Sequence, residues 1–204
     1  MKTNEIYVSN DGEGWDEVLN ETEKYAEYQN LGKKDNIHLR LLAEELLGMV
    51  KSIAGRFYAY FWIEDDDDAY YIHLKAKVNM DGEIRDAFIE ASTSRKNAAA
   101  KGIMGKLKDI FQSYWIGSKD AGLVTPTGYY SGFSGYSSYE TETLGSANMW
   151  SLSTYKNTVK ENKKENDLDQ WDELEKSIIA NIADDVTVGI DGDYVEMIIT
   201  RKNR

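Results

Sequence analysis

The sequence predicts an α+β fold, a two-layer α/β sandwich in which a mixed, mostly antiparallel sheet is covered on one face by helices. Three observations predict it. Residues 35–53 repeat apolar side chains at steps of three and four, which makes one buried stripe on a helix. Two segments, 55–63 and 69–78, are rich in aromatic and β-branched residues and alternate with period two, as half-buried strands do. The stretch 186–200 has the same alternation, broken by Asp191-Gly192, a dipeptide suited to a two-residue hairpin turn. Helices with one apolar stripe and strands with one apolar face bury each other best as two layers.

Taken in order, Glu5-Ile-Tyr-Val-Ser9 reads as a short strand that stops at Asn10-Asp-Gly12, a turn cluster. Trp15, Val18, Leu19, Thr22, Tyr25 and Ala26 take helical spacing over about 13–29, and Leu31-Gly32 offers a glycine to close that helix. In the next helix, near 36–54, Leu39, Leu42, Ala43, Leu46, Met49, Val50 and Ile53 form the stripe, with Asp35 placed as its cap. The acidic run Glu64-Asp-Asp-Asp-Asp68 between the two central strands is a solvated hairpin loop. It lacks the alternating ligands and the turn glycine of an EF-hand, so no metal site is assigned. Residues 81–91 form a short helix after a turn. A further helix over 98–111 places Ile103, Leu107, Ile110 and Phe111 on one side.

From Gln112 to about Glu142 the chain is dominated by Gly, Ser, Thr and Tyr, which argues for a surface excursion; residues 156–169 are charged and solvated. Trp171, Leu174, Ile178, Ile179 and Ile182 mark an added helix capped near Asp169. The 204 residues, 41% of them hydrophobic, are enough for a single domain over 1–204, with 112–185 as an insertion carrying that loop and helix.

Net charge is −12 and the isoelectric point is near 4.7, so a phosphate backbone is repelled and nucleic acid is not expected as a partner. The absence of Cys excludes disulfides, thiolate zinc sites and a Cys nucleophile. With no apolar leader and no long apolar run, the expectation is a cytoplasmic protein with no membrane association. His38 and His73, the two histidines, have no nucleophile elbow or acid at triad spacing and are read as structural.

On the helix near 36–54, Glu45 stands at the edge of the buried stripe one turn before Met49, while Glu44 points to water. Both acids can be read as surface charges. Leu41-Leu-Ala-Glu-Glu-Leu-Leu-Gly-Met-Val50 also resembles the first signature helix of the histidine-kinase-like (GHKL) ATPase superfamily, above all of the anti-sigma-factor serine kinases. The resemblance implies that Glu45 is the catalytic base on a hydroxyl or water. It implies a magnesium-holding Asn four residues later, where this chain has Met49, without a hard oxygen for Mg²⁺.

A second feature lies where the superfamily has a phosphate-cradling helix start. Arg95, Lys96, Lys101 and Lys106 gather with Asn97 around Lys101-Gly-Ile-Met-Gly-Lys106. Free N–H groups and the dipole at a helix start attract anions, and lysines add to that. This is not a Walker A loop, since the four-residue gap and the Ser/Thr after Lys are missing. The resemblance assigns ATP phosphates to Lys96, Asn97, Lys101, Gly102, Gly105 and Lys106; an ordinary solvated amphipathic helix is the alternative. The adenine-reading Asp-x-Gly-x-Gly segment has no counterpart beyond Asp81-Gly82. Two functions follow: an ATP-binding regulatory protein with a serine/threonine-kinase-like site whose catalysis is weakened or lost, or a non-catalytic module that binds a regulatory protein partner.

Overall fold

The computed structural model describes residues 1–53, 56–79, 103, 105, 107, 149–162, 174, 177–191 and 193–203. Strand β1 (Ile6–Ser9) leads into helix α1 (Trp15–Tyr28) and helix α2 (Lys33–Ile53), followed by β2 (Arg56–Asp65) and β3 (Ala69–Asn79). After these come β4 (Met149–Ser151), α3 (Leu152–Asn162), α4 (Ile178–Ile182), β5 (Asp185–Asp191) and β6 (Tyr194–Lys202). The strands form one six-stranded sheet in the order β1-β2-β3-β6-β5-β4. Among the described residues every pair is antiparallel, where a mixed sheet was expected: β2–β3 and β5–β6 are hairpins, and the two hairpins meet antiparallel along β3 and β6.

Alternation assigns the faces. Phe57, Ala59, Phe61 and Ile63 of β2 are buried, as are Ile72, Leu74, Ala76 and Val78 of β3, Val186 and Val188 of β5, and Val195, Met197 and Ile199 of β6. These side chains share one core with Val18, Tyr25 and Ala26 of α1, the Leu39–Val50 stripe of α2, and Leu152, Tyr155 and Val159 of α3. The α+β layering is therefore the one expected, with the described helices on a single face.

Local chemistry explains where elements begin and end. Helix α1 starts after Gly14, whose φ of 79° places it in the left-handed region. The helix closes with Asn30 at φ 53°, where Leu31 N–H donates to the Ala26 carbonyl (2.9 Å) and Asn30 N–H to that of Glu27 (3.0 Å). This paired closure moves the expected glycine role from Gly32 to Asn30, whose short polar side chain tolerates that conformation. Gly32 instead opens α2, its carbonyl accepting from Asn36 N–H at 2.9 Å. Asp35 thus lies inside the first turn, where it favours the dipole, and does not cap the helix.

The acidic hairpin loop is shorter than expected, because Glu64 and Asp65 continue β2. Asp66 holds the turn: its Oδ1 accepts from Asp68 N–H (2.9 Å) and Ala69 N–H (2.8 Å), and its Oδ2 accepts from the Tyr71 hydroxyl (2.9 Å). Those backbone donors hold its carboxyl below the ordinary range. At the other hairpin, Asp191 still pairs with Tyr194, so the two-residue turn expected at Asp191-Gly192 is corrected by one step: the residues between the strands are 192 and 193.

Within the stretch read as an insertion, β4 pairs with β5, and α3 buries Leu152, Tyr155 and Val159. The segment expected to be solvated from 156 begins as the last turns of this helix, with Asn157, Thr158 and Lys160 exposed and Val159 turned into the core. Asp185 explains why α3 begins where it does: its Oδ1 accepts from Ser153 N–H at 2.9 Å, and both Ser151 and Ser153 hydroxyls donate to the same carboxylate. The added helix is broken at Ser177, which is extended (φ −73°, ψ 122°) and accepts from Ala180 N–H to start α4. Ile178 consequently turns outward instead of joining the stripe. The expected helix over 81–91 lies outside the described residues.

Candidate functional site

Helix α2 separates the two adjacent acids as its wheel requires. Glu44 Oε1 accepts from Arg40 Nε at 3.2 Å, and Arg40 also pairs with Glu23 of α1, tying the two helices together. Glu45 is half-buried beside the stripe and makes no ion pair or hydrogen bond among the described residues. One turn on, Met49 is 4% exposed and belongs to the core. A thioether packed among apolar side chains offers nothing to a hard cation, so Mg²⁺ does not fit at that position. Glu45 stands at the edge of the stripe, as its wheel position predicts, with no metal-holding side chain at Met49 one turn on.

Of the expected phosphate site, Gly105 is described and Lys96, Asn97, Lys101, Gly102 and Lys106 lie outside the described residues. Ile103, Gly105 and Leu107 are helical and buried, and both apolar side chains join the core that α2 covers. Ile103 and Leu107 match the stripe read from the sequence, and Gly105 is a buried helical position between them.

A polar cleft of about 260 Å³ opens at the other end of the layers, lined by Tyr25, Gln29, Leu31, Asp35, Asp65, Tyr70, Lys202 and Asn203. The residue alternation that places Ile63 inward would send Asp65 inward as well, and it is held there by polar partners. Its Oδ2 accepts from Gln29 Nε2 at 3.0 Å, its Oδ1 lies 3.1 Å from the Met1 ammonium, and the Tyr25 hydroxyl donates to it. Burial, and then the hydrogen bond to Asp65 and its charge, push the Tyr25 hydroxyl well above the usual tyrosine range.

Beside the cleft, Arg201 is buried on β6. It donates to the Ile182 carbonyl and lies 3.8 Å from Asp35 and 4.0 Å from Asp184. Burial raises the Tyr70 hydroxyl above its ordinary value, opposed by the charge and hydrogen bond of Arg201. The guanidinium is thus engaged by the protein itself. Sequence reading missed Arg201, Asp65 and Tyr25, because their partners are brought together only by the fold. The available signal was parity: Arg201 stands on the inward positions of β6, as Asp65 does on those of β2.

The opposite face of the sheet carries a different set. Tyr7, Tyr58, Tyr60 and Tyr194 point outward, together with Arg56, Lys75 and Lys77. Towards the hairpin end, Trp62 stacks on His73 with ring centroids 4.6 Å apart, Lys2 Nζ sits 4.6 Å over Trp62, and Glu64 Oε1 lies 3.0 Å from His73 Nε2. Burial beneath this stack lowers the His73 pKa, against the opposing pull of Glu64.

Among the described residues there is no group of three or more acids and histidines placed to hold a metal, and no helix long and apolar enough to cross a membrane. Set against family models, curated proteins and solved structures, the chain matches none of them.

Proposed function

We propose that this chain is an ATP-binding regulatory protein, similar in plan to the anti-sigma-factor serine kinases, that has lost metal-assisted phosphoryl transfer. Burial of Met49 in the core is the observation that carries the reading. Phosphoryl transfer needs an ion to neutralise charge developing on the phosphates. A residue that cannot ligate Mg²⁺, one turn after a well-placed Glu45, supports binding without turnover. Nucleotide would rest on Lys96, Asn97, Lys101 and Lys106 around the helix that contains Gly105.

Isothermal titration with ATP, with and without Mg²⁺, tests this. The expected result is measurable binding whose affinity does not change when Mg²⁺ is added. A large Mg²⁺ enhancement overturns the loss of the metal. Lys101→Ala with Lys106→Ala should weaken ATP or sulfate binding by about 1–3 kcal/mol, the range for lost charge-assisted hydrogen bonds.

A second reading, a module that binds a regulatory protein partner without nucleotide, is favoured by the exposed tyrosines on the sheet face away from the helices. Absence of ATP binding at millimolar nucleotide would leave this one standing.

A further inference from the structure

The rows of the outer sheet face place aromatic rings and cations in register. Tyr7 faces Tyr60, which faces Lys75, which faces Glu196; one step along, Tyr58 faces Lys77, which faces Tyr194. Tyr7 and Tyr60 meet edge to face at 6.0 Å, and Lys77 Nζ lies 5.7 Å over the Tyr194 ring. The Tyr58 hydroxyl, which hydrogen-bonds Lys77, heads the causes that raise the Lys77 pKa. Despite these contacts the rings remain open to water: Tyr7 is 42% exposed, Tyr58 44% and Tyr60 47%. Tyrosine and arginine in such a patch are the residue types that anchor protein interfaces.

The charge pattern selects the partner. On β1, β2 and β3, the outward positions from Arg56 to Tyr60 and their paired partners hold Arg56, Lys75 and Lys77 and no acid. Arg56 and Lys75 make no ion pair among the described residues. In a chain of net charge −12, three cations on one patch are a local reversal of sign. The acids begin at the edge of the patch: Glu196 on β6 faces Lys75, Asp193 acts on Lys77, and Asp191 ends β5.

We infer that this half of the outer face docks a short, extended acidic segment of a partner protein, its carboxylates meeting Arg56, Lys75 and Lys77 and its apolar side chains lying on the tyrosines. The width from β1 to β3 is about 10 Å at the usual strand spacing, room for one extended segment. A nucleic-acid strand also stacks on tyrosines, but its evenly charged backbone would run from the cations onto Glu196 and Asp191. The inference rests on the interaction reading and gives it a surface and a partner chemistry; it requires no nucleotide.

The test is fluorescence anisotropy of a fluorescein-labelled glutamate–tyrosine copolymer with the full chain, ATP omitted, so that the outcome is separate from nucleotide binding. Binding that weakens as salt rises is expected, together with a loss of about tenfold or more in Lys75→Glu with Lys77→Glu. Lys75 is exposed and Lys77 half-buried on the outer face, outside the apolar core, and circular dichroism checks that the variant folds. Should it not fold, hydrogen exchange on the unmodified chain decides: copolymer protection over 56–60 and 75–77 supports the surface, and protection elsewhere overturns it. No binding, binding that survives the charge reversal, or tighter binding of labelled oligothymidylate also overturns it. So does sedimentation as a dimer that the reversal dissociates, because a second copy would then occupy the face. If partner binding is found elsewhere on the molecule, the interaction reading survives and this surface does not.

Discussion

Gly14 shows how tightly one residue can be specified. Its backbone is in the left-handed region, and a Cβ placed there would sit 1.9 Å from the Tyr7 carbonyl oxygen and 3.2 Å from Val8 Cγ1. The carbonyl belongs to β1 and cannot swing away as a flexible side chain would. Gly14→Ala should therefore cost about 3 kcal/mol or more, from left-handed strain plus displacement of strand against helix, read as a lowered urea midpoint. At Gly12, also left-handed but with open space around its missing Cβ, alanine should cost less. His73 makes a pH-dependent contribution. Because burial holds its folded pKa below the ordinary 6.5, the unfolded chain binds the proton more readily. Its stabilising contribution is complete above about pH 6.5 and is lost as pH falls from there toward the folded value. His73→Phe keeps a ring stacked on Trp62, so its stability should fall less steeply than that of the unmodified chain between pH 7 and about 5. Equal slopes would refute the assignment.

At the scale of elements, α2 is the piece on which layering and proposed site both depend. Leu46 is fully buried on its stripe, and Leu46→Ala should destabilise by about 2–5 kcal/mol in denaturant unfolding. Met49→Asn asks a different question, because it restores the residue type that the resemblance expects while placing an amide in the core. Loss of about 2 kcal/mol or more, without gain of Mg²⁺-dependent ATP binding, is expected if the Met49 side chain has no route to solvent. What could be read from the sequence follows the range of the forces involved. The α2 stripe, the β2–β3 alternation and the β5–β6 hairpin are local patterns, and each stands where it was expected, except that the hairpin's two turn residues fall one step after Asp191. Helix α3 is harder to read: its Leu152, Tyr155 and Val159 stripe is brief, among charges, and its start is held by Asp185, 34 residues from Ser151 along the chain. Ser177 divides a continuous-looking apolar repeat because its hydroxyl accepts from Ala180 N–H, a local competitor to the helix that hydrophobic spacing alone does not reveal. Glu45 was legible as an edge position, whereas the cleft around Asp65 was not, since Tyr25, Gln29 and Asp65 meet only when α1 lies on the end of β2.

For the molecule as a whole, the two layers are joined by apolar burial through the middle and by polar contacts at one end, where Arg201 draws β6, α2 and the segment between α4 and β5 together. Its donors meet the Ile182 carbonyl, Tyr70 and the carboxylates of Asp35 and Asp184. The carboxylates are partly solvated, at 44% and 24% side-chain exposure, so their share is screened and the long ion pairs contribute little. The carbonyl and the Tyr70 hydroxyl matter more, because both lose a partner in a buried place if the guanidinium is removed. Arg201→Leu fills the volume with apolar atoms while leaving those groups unpaired. Its expected cost is about 2–4 kcal/mol, below the cost of breaking a fully buried ion pair. Since the contacts join elements from both halves of the chain, the loss should shift the entire cooperative transition: the urea midpoint falls while the slope of stability against urea stays the same. Arg201→Lys, which keeps the charge but loses the forked donors, should fall between the two. If the leucine variant instead unfolds in two steps, Arg201 holds only the β6 end, and the layers are joined by the apolar core alone.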